Sequence, residues 1–371
     1  MRRLYLLAIA IGLIGCSNPK VNKDMKTVLN EMIEKQETPS VQYMIASGGS
    51  ILFEFNKGYS NLETNVLINE TSRYNIFSAT KTFTAIAILQ LQEKGLLSID
   101  DKLGKYLPEY IWLKEISIKD LLSHQSGIKN PIPLKWIHLK SEVFDYRKWT
   151  KKIINDNRKL KWDPGTDFSY SNIGYLILGE IIEKVSKQSY DDYVRAEIIS
   201  NIPNVEYLDF DTPSENYATG YQKRNLLSFL LYFLFDKKKY TYKANRKWLG
   251  LYPYVFNGKS YGGLISNAQS LTQYLQTLLD DNSPLINNES RNLLLTEQNN
   301  HKSAPTGMAL GWFCGNLNGY KYFCHAGGGV GYYAEIRIYP ELKISSVILM
   351  NRSGMKDERI LDKLDVKYLK M

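Results

Sequence analysis

Phe77-Ser78-Ala79-Thr80-Lys81-Thr82-Phe83-Thr84-Ala85-Ile86-Ala87-Ile88-Leu89-Gln90-Leu91 is the stretch around which the rest of the chain is organised. Its apolar side chains predict a helix over 82–91, closed by Gly95 and buried on all sides. Ser78 stands at the mouth of that helix and Lys81 one turn further in. Residues three apart share a helix face, so the lysine can reach the serine hydroxyl. A helix N-terminus stabilises negative charge, and apolar surroundings push an amine toward its neutral, basic form. A nucleophile beside its base is what acyl transfer needs. The spacing alone carries little weight, because Ser17/Lys20, Ser126/Lys129 and Ser353/Lys356 share it. Ser17 lies in a polar stretch, and Ser126 and Ser353 are each followed by glycine, which disfavours a helix start.

Working outward, a helix with Val28, Leu29, Met32 and Ile33 at helical spacing precedes strands at 41–46 and 51–55, joined at Ser47-Gly48-Gly49-Ser50. From 98 to 257 the pattern is helices and loops, with helices at 118–122, 149–154, 173–185 and 190–199. A helix at 271–279 follows, then strands at 309–314, 321–325, 334–339 and 345–350 and a last helix. Strands at both ends with helices between them predict an α/β (α+β) fold: an antiparallel sheet flanked by helices, with an inserted all-helical domain. The expected units are a discontinuous α/β domain of 25–97 and 258–371 and a helical domain of 98–257, with 25–355 forming one catalytic unit. A site is expected in the cleft between them.

Two further motifs fit that cleft. Tyr170-Ser171-Asn172 precedes the helix near 173, which puts the tyrosine on a loop at a helix mouth, unlike Tyr59-Ser60-Asn61, which follows a Lys-Gly turn. A tyrosine hydroxyl near an ammonium can serve as a general base. His325-Ala326-Gly327-Gly328-Gly329-Val330-Gly331 ends one strand and leads into another. A phosphate loop would lead into a helix, so these glycines read instead as a strand edge open to substrate, with backbone N–H groups free for an oxyanion.

Taken together, the chain resembles the class C β-lactamase, DD-peptidase and esterase family of serine hydrolases. The resemblance rests on Ser78-Ala79-Thr80-Lys81, Tyr170-Ser171-Asn172 and His325-Ala326-Gly327, taken in that order. It also rests on Gly95-Leu96-Leu97-Ser98-Ile99-Asp100-Asp101, Leu121-Leu122-Ser123-His124-Gln125-Ser126-Gly127, Gly262-Gly263-Leu264-Ile265-Ser266 and Leu310-Gly311-Trp312. It covers most of 40–352 and implies a β-lactamase-like fold. By that resemblance Ser78 attacks a carbonyl, Lys81 and Tyr170 share the proton transfers, and Asn172 bonds the substrate. The N–H groups of Ser78 and Gly328 would receive the oxyanion, with His325 and Gly327 lining the substrate strand. Whether Lys81 or Tyr170 is the primary base stays open, and His124, His138 and His301 read as structural or surface residues. His325 stands where β-lactamases of this class carry lysine, and Ala326 where they carry a hydroxyl. Asn201-Ile202-Pro203-Asn204 replaces a usual Pro-Leu-Gly-Met. These departures favour an esterase or a peptidase acting on D-amino-acid peptides over a β-lactamase. The alternative from another class is a non-catalytic penicillin-binding, cell-wall-binding or sensor protein of the same fold.

Arg2 and Arg3 followed by an apolar run over 4–13 predict a signal segment of 1–15, too short to span a bilayer. Leu13-Ile14-Gly15-Cys16 resembles a bacterial lipobox, which implies lipid attachment at Cys16, a tether over 16–24 and residence in the cell envelope, with the outer membrane preferred because Ser17 follows the cysteine. The net charge of +9 is spread along the chain with no arginine-rich, aromatic-interleaved patch, so no nucleic-acid partner is expected. The expected partners are a small-molecule or peptide ester or amide and, through Cys16, the membrane. No cofactor and no metal are expected, since no histidines and carboxylates share ligand spacing. Two readings stay open for Cys314 and Cys324, a disulfide across a hairpin or two buried thiols, and two for the apolar run 226–235 ahead of Lys237-Lys238-Lys239, a buried helix or a membrane-facing flap.

Overall fold

Alternation is the first determinant of the architecture. In the strand Ser40–Ser47 the odd residues Val41, Tyr43 and Ile45 enter one apolar cluster and Met44 enters another. The computed structural model describes residues 24–131, 136–213, 215–224, 236–355 and 359–369. Its main sheet has seven strands in the order Phe313–Leu317, Tyr320–Gly328, Tyr333–Tyr339, Ile344–Met350, Ser40–Ser47, Ser50–Asn61 and Val66–Leu67. All neighbours are antiparallel. The pairing of Ser40–Ser47 with Ile344–Met350, Val41 opposite Met350, joins the first hairpin to the last meander and so unites the two ends of the chain.

Both faces of this sheet are covered, which is why Tyr333–Tyr339 and Ile344–Met350 are buried at every position. The outer face packs Tyr43, Ile348 and Met350 against the helices Met25–Glu34 and Leu361–Asp365. The inner face packs Met44, Ile336 and Leu349 into the larger core with Thr80–Glu93 and Ala268–Leu279. Thr80–Glu93 is buried from Thr80 through Leu91 and lies against Asn172–Ser186, so the central helix is solvated on neither side. The helices Ile118–Leu122, Tyr146–Asp156 and Tyr190–Glu197 also lie in the intervening segment.

That segment is not all helical. Tyr221–Lys223, Trp248–Leu251 and Thr241–Lys243 form a three-stranded sheet, and Ile137–Leu139 pairs with Tyr254–Phe256. Leu208–Asp209 joins Ile265–Ser266 and Tyr74–Asn75 in a third small sheet. Strands of two to four residues are too short for a period of two to stand out, and their order is imposed by tertiary pairing. The strand expected at 309–314 begins only at Phe313, because Met308 to Trp312 make a buried turn in which the N–H of Ala309 donates to the carbonyl of Trp312.

The hairpin register decides the cysteines. Cys314 lies opposite Phe323 and Cys324 opposite Phe313, so the two thiols point to opposite faces of the sheet and both are free. The signal segment, Cys16 and the run 226–235 lie outside the described residues. Among the described residues no helix is long and apolar enough to cross a membrane.

Candidate active site

Ser78 occupies a single 3-10 turn, Phe77–Ala79, that feeds straight into the helix Thr80–Glu93. Phe77 holds a left-handed backbone, φ +43°, unusual for a bulky side chain and a store of strain beside Ser78. Packing enforces it. The Phe77 ring meets Phe256 edge-on at 5.3 Å and lies where a side chain at position 329 would be, 2.7 Å from the place of its Cβ. Gly327 is needed for the same kind of reason. A Cβ there would fall 1.9 Å from the carbonyl oxygen of Ile76 and 3.0 Å from the nitrogen of Ser78. The end of the strand Tyr320–Gly328 thus lies directly against the Phe77–Ala79 turn, with Gly328 exposed beyond it.

Lys81 is wholly buried, and burial holds its amine well below the usual 10.5. Its Nζ lies 3.0 Å from Ser78 Oγ, 2.8 Å from Asn172 Oδ1 and 3.0 Å from the carbonyl oxygen of Tyr261. Among the described residues no carboxylate pairs with it. The rings of Tyr170, Tyr261 and Tyr175 stand 4.9, 5.3 and 5.5 Å from the nitrogen.

Asn172 reaches Lys81 because Ser171 caps the helix Asn172–Ser186, its side chain accepting from the N–H of Gly174. Tyr170, just before Ser171, has three rings about it: His124 at 4.3 Å, His325 at 6.2 Å and Phe313 stacked at 6.3 Å with a 13° tilt. His325 is buried and pushed down to about 3 by burial and by Lys81. Its Nδ1–H donates to the carbonyl of Ala326 at 2.8 Å, which leaves Nε2 as a lone-pair nitrogen. That Nε2 is buried and has no partner among the described residues.

The structure therefore gathers Ser78, Lys81, Tyr170, Asn172, His325 and Gly327 at one place. The competing motif does not join them, since Asn61 bonds Thr219 and the turn after it. His301 packs against Gly165 and His138 bonds Asn257. Two parts of the site escaped the sequence. The Tyr261 carbonyl is a backbone atom that any residue could supply, so no side-chain signal marks it. His124, read as structural or surface, lies in the site wall, and its place within Leu121-Leu122-Ser123-His124-Gln125-Ser126-Gly127 was the available clue.

The sequence profile of the family described as Beta-lactamase matches residues 25–370. The chain belongs to this family. Protein flp of Staphylococcus aureus (strain COL) is 29% identical over 207 residues, 54% of this chain and 41% of that protein. Penicillin-binding protein 4* of Bacillus subtilis (strain 168) is 29% identical over 185 residues, 47% of this chain and 39% of that protein. The match thus spans less than half of either relative. Among solved structures, the octameric penicillin-binding protein homologue from Pyrococcus abyssi superposes with TM-score 0.75 at 24% identity over 93% of this chain and 76% of that one. The D-amino acid amidase from Ochrobactrum anthropi SV3 gives 0.74 at 16% identity (93% and 95%), and a class C beta-lactamase 0.72 at 18% (94% and 95%). At these identities the likeness establishes the fold, a β-lactamase-like α+β architecture.

Proposed function

We propose that this protein is a serine hydrolase that cleaves ester or amide bonds through an acyl intermediate on Ser78. The observation that carries the reading is the environment of Lys81: buried, without a carboxylate, 3.0 Å from Ser78 Oγ. A neutral amine has two N–H donors and one lone pair. Asn172 Oδ1 and the Tyr261 carbonyl can only accept, so they take the two donors and leave the lone pair for the Ser78 hydroxyl. Lys81 then accepts the proton as Ser78 attacks the carbonyl. The N–H groups of Ser78 and Gly328 receive the oxyanion, and Tyr170 joins in returning the proton to the leaving group. Water completes the cycle by the reverse path.

The buried, uncharged His325 supports substrates that do not depend on a cation at that position. The amidase among the structural neighbours makes D-amino-acid amides a first choice beside short esters. Purified protein should be labelled by a fluorophosphonate and release product from a p-nitrophenyl ester or a D-amino-acid amide, with little nitrocefin turnover. Labelling unchanged in Ser78→Ala would refute the nucleophile, and labelling without any turnover would favour a binding or sensor role. The reading of Cys16 adds an envelope location and a membrane anchor to this proposal. Palmitate incorporation into the wild type and its loss in Cys16→Ser is the expected result.

A further inference from the structure

His124 sits in a left-handed backbone, φ +57°, just after the helix Ile118–Leu122, and is 1% exposed. Three contacts tie it to the loop that carries Tyr170 and Asn172. Its Nδ1 accepts the N–H of Ser171 at 3.2 Å, its carbonyl accepts the N–H of Ser169 at 2.8 Å, and its ring lies against that of Tyr170. The bond to Ser171 is the informative one. Because the backbone N–H can only donate, Nδ1 must present a lone pair, and neutral His124 carries its proton on Nε2. Protonating the ring would turn Nδ1 into a second donor facing the first. Lys81, His325, Tyr170 and Tyr175 face this ring from the central helix, the substrate strand, the loop and the next helix. The two basic groups oppose a charge on it. Burial first of all, and then these two groups, hold its pKa well below 6.5.

We propose that His124 is a positioning residue of the hydrolase site: by accepting the Ser171 N–H and backing the Tyr170 ring, it sets the register of Tyr170 and Asn172 against Lys81. The inference rests on the hydrolase reading above. Asn172 Oδ1 is one of the two acceptors that direct the Lys81 lone pair, so a slackened loop misaims the base without removing any group that touches substrate. A displacement near 1 Å can cost about a hundredfold in rate.

Three variants separate this role from plain core filling. In His124→Asn, asparagine tolerates the left-handed backbone and places an amide oxygen near the former Nδ1. His124→Gln carries its amide one bond too far, and His124→Gly keeps the backbone but offers no acceptor. With fraction folded measured by circular dichroism, we expect the Gln and Gly variants to lose about tenfold to a hundredfold in kcat on a p-nitrophenyl ester with KM little changed. His124→Asn should recover most of that loss. If His124→Gly does not fold, the Asn and Gln pair still decides. Equal kcat for Asn and Gln, or wild-type kcat throughout, would overturn the inference while leaving the hydrolase reading intact. Absence of fluorophosphonate labelling in the wild type would overturn both.

Discussion

Two buried basic side chains lie on opposite sides of the main sheet, and they are treated in opposite ways. Lys81, on the inner side, meets only neutral acceptors among the described residues and is pushed toward the uncharged form. Arg337, on the outer face, is equally buried but lies 2.8 Å from Glu335 and 2.6 Å from Asp362, with its guanidinium carbon 4.0 Å from the centre of the Tyr322 ring. Burial works against its charge, and Glu335, Tyr339 and Asp365 outweigh that and hold it protonated. Asp365 in turn accepts from Ser346, Tyr339 and Tyr43, so the cluster ties the last helix to three strands. The amine withheld from carboxylates is free to take a proton, whereas the satisfied guanidinium is committed to structure.

The largest expected effect breaks the first half of that contrast. Lys81→Met should slow Ser78 acylation by about 10²–10⁴-fold, read by stopped-flow with a p-nitrophenyl ester, while the protein still folds. Arg337→Met should do the reverse. It strands Glu335 and Asp362, and chemical denaturation should show a loss of roughly 3–5 kcal/mol with activity per folded molecule unchanged.

The pH dependence of stability sharpens the comparison, because the two regions slope in opposite directions. For Lys81 the folded pKa lies below the unfolded 10.5. Between the two values the unfolded chain binds a proton that the native chain does not, so stability rises with pH there. Burial pushes Glu335 above its ordinary 4.5 against the pull of Arg337. Its contribution is complete below 4.5 and is lost as pH rises through that raised folded value. Each slope is at most about 1.4 kcal/mol per pH unit. Lys81→Met should flatten the alkaline one and Glu335→Gln the other. The smallest expectation concerns the meander next to both regions. Cys314 and Cys324 face opposite ways, so adding reductant should leave the melting temperature unchanged, and thiol counting without reductant should find both free.

The same contrast explains what could be read from residues alone. Ser78 and Lys81 are side chains three apart on an apolar helix, a local pattern, and the long strands carry their own alternation. The Glu335–Arg337 pair, two residues apart on one strand face, gives no sign of burial until the last helix covers it. The short strands around Tyr221 and Trp248 exist only through long-range pairing, and the Tyr261 carbonyl has no side-chain signature. Gly327 was legible as a glycine near the site, but its reason, the approach to Ile76 and Ser78, required the folded chain.

The proposed activation of Ser78 by a neutral Lys81 is tested most directly by the pH dependence of fluorophosphonate labelling, followed by peptide mass spectrometry. An adduct should form on Ser78 at a rate that rises through one ionisation below 10.5, a limb absent in Lys81→Met. An adduct on another residue, or a limb that persists in Lys81→Met, would contradict it.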